Sequence, residues 1–367
     1  MKVTRSCFSL LKPGKPPYRI LFFGTDFFAI PPLKMLLQNA GSTKNRLIEH
    51  VEVVCPPERR RVINKKLLKG TDHITVREFA QEQNLPIHYW KGKDGWPNDY
   101  CPGGPYDIGV VASFGYLITN RVLDVCLRGS LNIHPSLLPQ WRGAAPMTYA
   151  ILEGAKQTGV SIVEVSRNRF DRGKIFLQEK FQIPDNVMFD ELSTSLSIQG
   201  TKMLFRVLSN FDEMCNNAKL QSNVGISHAP KATKEIGFIN WNEHTWLDVW
   251  RTWRALSTRV GVHTSWKGKK VRLVTMTSDT FEDNLDELED ALPGQPRFDK
   301  EKNILFIKCK DGWAGFTSLQ VECKSVISAK DFSNSYLQSS KHSKNHIFEI
   351  LDSNISESPL KENKIQT

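Results

Sequence analysis

The chain has 367 residues, which at roughly 150 residues per domain implies two domains. Hydrophobic residues make up 40% and charged residues 24%, the balance of a soluble globular protein, so whole-chain disorder and a collagen-like repeat are excluded. There are 49 Lys and Arg against 39 Asp and Glu, a net charge of +10. That excess favours a polyanionic partner, either nucleic acid or an anionic membrane surface.

No run of about 18 apolar residues occurs, so no membrane insertion is expected. The seven cysteines (Cys7, Cys55, Cys101, Cys126, Cys215, Cys309, Cys323) are scattered and never spaced C-x-x-C. That disfavours a disulfide framework and a thiolate metal site, and fits a reducing compartment. Residues 1–18 carry Lys2, Arg5, Lys12 and Lys15 and no acid. Such a segment fits a mitochondrial transit peptide and equally a basic tail without an address.

Taken in chain order, residues 19–23 (RILFF) form an unbroken apolar run that predicts a buried strand. Pro31 and Pro32 open a helix to about residue 37. Strands are predicted at 47–55, 86–90, 107–113, 130–134, 159–165 and 174–182. Helices are predicted at 76–83, 146–152 and 190–208. Strands alternating with helices over residues 19–210 predict a mostly parallel α/β sheet. The pattern changes near 221–233. A Trp-rich helical stretch and short strands at 264–266, 270–276, 303–309 and 315–321 then predict a small β-barrel. Residues 279–290 are acidic and read as an exposed loop. The tail from 339 is polar and expected to be disordered.

The informative segment is LNIHPSLLPQWRGAAP, residues 131–146. Asn132 and His134 lie two apart at the end of a predicted strand, so both side chains face one way. In an open α/β sheet that end is where ligands bind. An amide donor beside an imidazole can hold an oxyanion while a proton moves. A hydrogen-bonded structural pair would show the same two residues. Gly24 stands without G-x-G-x-x-G, which disfavours a nicotinamide dehydrogenase.

The segment closely resembles the signature of the folate-dependent formyltransferases, where Asn-x-His is followed by Ser-Leu-Leu-Pro. Its continuation, residues 140–146, resembles the version found in methionyl-tRNA formyltransferases. Residues 20–25 resemble that family's first strand and turn. Residues 110–116 resemble the segment lining its folate pocket, and 158–162 its next strand. The resemblance covers about residues 19–335. It implies a Rossmann-like catalytic domain at 19–210, a linker at 211–233 and an OB-like β-barrel at 234–338. A transit peptide at 1–18 and a polar tail at 339–367 flank them.

The implied reaction passes the formyl group of 10-formyltetrahydrofolate to the α-amino group of methionyl-tRNA, with no metal. The resemblance makes Asn132, His134 and Asp171 catalytic. It assigns folate contacts to Phe114, Gly115, Ser136, Leu137, Leu138 and Pro139. The loop around Asp171 departs from the bacterial pattern by about one extra residue and by Arg169, Arg172 and Lys174. Those charges read as a solvated loop or as contacts to a folate tail or RNA phosphate.

Residues 58–70 (ERRRVINKKLLKG) occupy the family's tRNA-contacting insertion. Arg59, Arg60, Arg61, Lys65, Lys66 and Lys69 are therefore expected to contact tRNA, the competing reading being a solvated charge run. The second domain adds Lys231, Lys234, Arg251, Arg254, Arg259, Lys267, Lys269, Lys270 and Arg272. Trp246, Trp250 and Trp253 repeat at helical spacing and read as packing residues. Formylated initiation belongs to bacteria and organelles, so the basic N-terminus points to the mitochondrial matrix. A monomer is expected. A formyltransferase for another amine, or a catalytically silent RNA-binding module, are the competing readings.

Overall fold

The computed structural model describes residues 14–42, 46–57, 74–90, 102–167, 169–278, 291–337 and 347–349. They divide into two compact units. The first holds the described residues up to Pro146, Lys156–Ile183 and Glu191–Pro230. The second holds Met147–Ala155, Pro184–Asp190 and the described residues from Lys231 on.

The first half of the chain contains β1 (Tyr18–Gly24), α1 (Ile30–Ala40), β2 (Ile48–Cys55), α2 (Val76–Glu82), β3 (Ile87–Tyr89), β4 (Ile108–Ala112) and α3 (Asn120–Leu123). Then follow β5 (Ser130–His134), α4 (Pro146–Leu152), β6 (Gln157–Glu164), β7 (Ile175–Gln182), α5 (Phe189–Ser209) and α6 (Phe211–Asn217). The sheet order is β3-β2-β1-β4-β5-β6-β7. The first five strands run parallel; β6 is antiparallel to both β5 and β7. Ile20, Leu21, Phe22 and Phe23 are all fully buried. A central parallel strand covered on both faces needs this unbroken apolar run rather than alternation. Edge strand β7 instead alternates inward and outward residues.

Strand β5 is fixed from behind. A Cβ added to Gly200 of α5 would lie 2.5 Å from Ile133 Cγ2, so the helix can approach only because that position is glycine. Ile133 thus faces α5, and Asn132 and His134 take the opposite face. A capping box, Thr75 with Glu78, starts α2.

The second unit has α7 (Trp246–Leu256), β8 (Val262–Trp266), β9 (Lys269–Thr277), β10 (Pro296–Asp299), β11 (Ile304–Lys308), β12 (Trp313–Val321), β13 (Val326–Ser328) and α8 (Ala329–Phe332). Its strands form one antiparallel sheet in the order β10-β11-β12-β9-β8, with β13 on β12. A small β-barrel is the expectation for this region; what the structure shows is a small antiparallel sheet. Among the described residues no pairing joins β8 to β10. The indoles of Trp246, Trp250 and Trp253 stack at 6.1 and 5.6 Å between centroids. Trp250 Nε1 donates to Asn186 and Trp253 Nε1 to the Val274 carbonyl, which fits packing.

Three expectations are corrected. Tyr18, counted with the N-terminal segment, is the first residue of β1 and is buried; residues 1–13 lie outside the described residues. Within the tail, Phe348 is buried and packs on Trp266 at 4.6 Å, because one aromatic can dock where its polar neighbours cannot. Arg254 is buried and bonds the Val187 carbonyl, and Arg272 bonds that of Ser257. Those two arginines serve the fold and are not exposed cations.

Candidate active site

Three of the predicted residues meet. Asn132 and His134 project from the end of β5. The connection from β6 to β7 folds back over that face and carries Asp171. Asn132 Nδ2 donates to Asp171 Oδ1 at 3.2 Å. His134 Nδ1 lies 3.5 Å from the same oxygen, and both side chains are buried. His134 Nε2 is 3.2 Å from the Trp141 carbonyl. Each ring nitrogen therefore faces an oxygen, so a proton on either side has an acceptor.

The Asp171 loop is held at several points. The Gly143 N–H donates to Asp171 Oδ2 at 2.9 Å. Gln221 Nε2 donates to the carbonyls of Asp171, at 2.8 Å, and Gly173, at 2.9 Å. Gln221 Oε1 accepts from Arg142 Nε and Nη2 at 3.1 and 2.6 Å. Asp171 and Trp141 both have φ of +52°, a left-handed conformation that costs a non-glycine residue about 1–3 kcal/mol. These bonds offset that cost. Gly143, at φ +124°, sits where a Cβ would lie 2.5 Å from the Ala229 carbonyl.

The loop after β5 is stapled to its surroundings. Ser136 Oγ donates to the Gln140 carbonyl at 2.7 Å, and Ser161 Oγ to that of Ser136 at 2.7 Å. Gln178 Nε2 donates to the Leu138 carbonyl at 3.0 Å. Ser136 and Leu138 are buried, and Leu137 and Pro139 are partly exposed. Phe114 is also buried, edge-on to Phe23 and Trp90. Gly115, at φ +72°, follows it. β4 and β5 are parallel neighbours, so the Phe114–Gly115 turn and the Ser136–Pro139 loop leave the same sheet edge.

The basic residues Arg59, Arg60, Arg61, Lys65, Lys66 and Lys69 lie outside the described residues. Strand β2, which precedes them, ends at that edge too.

Beside Asp171 opens a cavity of about 630 Å³, lined by Arg142, Gly143, Arg169, Phe170, Arg172 and His228 among others. Burial, then the charge of Arg172, pull the Arg142 guanidinium below its ordinary pKa, with Asp171 opposing. The sequence reading named Asn132, His134 and Asp171 but passed over Gln221 and Ser227, whose hydroxyl accepts from Trp141 N at 2.8 Å. Both lie in the segment read as a linker, where no periodicity marks them. Among the described residues no three His, Cys, Asp or Glu side chains converge as metal ligands. No described helix is long and apolar enough to cross a membrane.

Two family models match the chain. Formyl transferase matches residues 37–208, and the formyl transferase C-terminal domain matches residues 231–337. The mitochondrial methionyl-tRNA formyltransferases of Bos taurus and Homo sapiens are each 35% identical over 326 residues. The match covers 88% of this chain and 78% and 79% of theirs. The methionyl-tRNA formyltransferase of Ehrlichia chaffeensis is 32% identical over 87% of this chain and 97% of its own. Among solved structures, a HypX variant from Aquifex aeolicus aligns with a TM-score of 0.56 at 17% identity. It covers 89% of this chain and 49% of that one. The sugar 3N-formyl transferase WlaRD aligns at 0.51 and 18%, over 84% and 99%. At these identities the two structures share the fold. The chain belongs to the methionyl-tRNA formyltransferase family.

Proposed function

We propose that this enzyme transfers the formyl group of 10-formyltetrahydrofolate to the α-amino group of methionyl-tRNA. The observation that carries the reading is the Asp171 carboxylate, which receives the Asn132 amide and faces the His134 ring. Homologues in mammalian mitochondria and in bacteria carry the matching name. Solved relatives of the same fold were obtained with tetrahydrofolic acid or 5-N-formyl-THF, which supports a folate donor.

In the reaction the amine nitrogen attacks the formyl carbon, and the carbonyl oxygen gains negative charge. The bond from that carbon to the folate nitrogen then breaks. An amide nitrogen carries two N–H groups. Asn132 uses one on Asp171, and the other suits the oxyanion. His134 moves the proton from the attacking amine toward the leaving nitrogen. Asp171 orients the ring and offsets its charge when protonated. The turn at Phe114–Gly115 and the Ser136–Pro139 loop shape the donor's pocket. Arg59, Arg60, Arg61, Lys65, Lys66 and Lys69 contact the acceptor RNA, and the enzyme works as a monomer in the mitochondrial matrix.

The test is transfer of labelled formyl from the folate donor to charged methionyl-tRNA by purified protein. Sugar-nucleotide and purine-pathway amines serve as rival acceptors. Label on N-formylmethionyl-tRNA is expected. Label on a rival amine alone, or none, overturns the reading.

A further inference from the structure

The cavity beside Asp171 has a built polar wall. Arg142 is only 8% exposed, and its Nε and Nη2 are both spent on Gln221. A guanidinium has five N–H donors, and among the described residues Nη1 bonds no acceptor. Arg169 and Arg172 line the same space, and the ring of Phe170, 57% exposed, stands at it. A buried guanidinium with like charges beside it favours an anion. An exposed aromatic face beside arginines favours a nucleobase. Carboxylates alone would not require the ring.

The location agrees with that chemistry. In an aminoacyl ester the amine and the ribose oxygen are separated by two carbons, roughly 3.5 Å. The nucleotide bearing the methionine must therefore lie within one residue's length of His134 and Asp171. Gly143 lines the cavity and bonds Asp171, so the cavity begins at that distance.

We propose that this cavity is the subsite for the 3′-terminal nucleotide of the acceptor, with Arg142 taking its 5′-phosphate and Phe170 stacking on its base. Gln221 is then a positioning residue. Its one planar amide aims the Arg142 guanidinium through Oε1 and fixes the Asp171 loop through Nε2. The proposal rests on the formyl-transfer reading above.

The experiment compares two small acceptors, 3′-O-methionyl-adenosine and its 5′-phosphate, beside intact methionyl-tRNA. The readout is the ratio of kcat/KM for the two esters. In the wild type the phosphate raises kcat/KM at least tenfold, and Arg142→Gln erases that preference. Gln221→Leu lowers both the preference and turnover. Gln221→Glu keeps an oxygen for Arg142 but presents no donor to the two carbonyls, so it retains the preference and loses turnover. A purely structural role for Gln221 would not separate the two. Phe170→Ala, on an exposed side chain, lowers kcat/KM for both esters roughly tenfold, the lower range for a lost base stack.

With intact methionyl-tRNA, Arg142→Gln raises KM at least tenfold, and an unchanged KM overturns the proposal whatever the esters do. A preserved phosphate preference in Arg142→Gln overturns it too. So does a defect confined to KM for polyglutamylated over monoglutamylated folate, which would assign the cavity to the donor's tail. Absence of transfer to methionyl-tRNA by the wild type would instead overturn the formyl-transfer reading, and this proposal with it.

Discussion

Asp171→Asn is the sharpest perturbation of the site, because it keeps the side chain's shape and changes one oxygen into NH2. The carboxylate accepts from Asn132 Nδ2 at 3.2 Å and from Gly143 N at 2.9 Å, and lies 3.5 Å from His134 Nδ1. An asparagine offers one acceptor oxygen. If it faces Gly143, the new NH2 meets the Asn132 amide and the imidazole. If it faces them, the NH2 meets the Gly143 N–H. Either way a donor opposes a donor where the two side chains are only 4% and 8% exposed. An unpaired buried donor costs about 1–3 kcal/mol, which the fold can bear. The chemical cost is larger. When His134 takes up the amine proton, the charge it gains loses its anion, and turnover falls by about 10²–10⁴. Single-turnover transfer with both substrates saturating isolates this step from binding. Folate affinity should stay within about threefold, since the loss belongs to the transition state. An Asp171→Asn variant within about tenfold of wild-type turnover would refute the assignment.

Two further outcomes concern the fold. Gly200→Ala should gain about 1 kcal/mol of helix propensity but place a methyl 2.5 Å from Ile133 Cγ2. The net result should be destabilisation of about 1–2 kcal/mol with slower turnover; a raised denaturant midpoint would show that β5 is not packed as described. His263 is pushed down to about 4 from 6.5 by burial and then by Lys270, Arg272 and Lys234. The ring is neutral in the fold and protonates first in the unfolded chain. Stability is therefore full above about pH 6.5 and is lost as pH falls toward 4, by up to about 3 kcal/mol. Unfolding midpoints across that range should slope, and the slope should flatten in His263→Leu. An equal slope in both proteins would place the acid sensitivity elsewhere.

What could be read from the chain follows from burial. The run at 19–23 was legible as a strand because a doubly covered strand needs every residue apolar, and it is Tyr18–Gly24. The segment at 130–134 is the strand Ser130–His134, and the helix read at 146–152 is Pro146–Leu152. Strand direction was harder. The β6–β7 connection is too short for a helical crossover, so the antiparallel pair could have been inferred from loop length alone. Helix α6 (Phe211–Asn217) fell inside the expected linker because seven residues carry two turns of pattern. At the site, Asn132 and His134 were visible as strand neighbours. Asp171 depended on family resemblance, since nothing local distinguishes one loop carboxylate from another. Gln221 had no signal, because its role exists only once 50 residues of chain have brought its amide to the Asp171 carbonyl.

The extra residue expected in the Asp171 loop need not move the carboxylate. One extra residue would move the carboxylate if the loop were a free tether. Both ends are pinned instead. The Glu164 N–H donates to the Lys174 carbonyl at 2.9 Å, and the Val165 N–H to that of Ser130 at 2.9 Å. The ladder slips register between Ile162 and Val163, where β7 bulges, a device that absorbs a residue without breaking the pairing. Within the loop, Gln221 holds the Asp171 and Gly173 carbonyls, and Gly143 holds the carboxylate. Between Val165 and Asp171, Ser166 Oγ donates to the Arg169 carbonyl at 3.0 Å, Arg167 pairs with Asp124, and the Phe170 side chain is exposed. Arg169, Phe170 and Arg172 are exposed, while the carboxylate stays on Asn132 and His134. Five hydrogen bonds, two at the base and three at the tip, hold the carboxylate in place. A chain that kept those five could vary the outer residues with its acceptor and leave the chemistry unchanged.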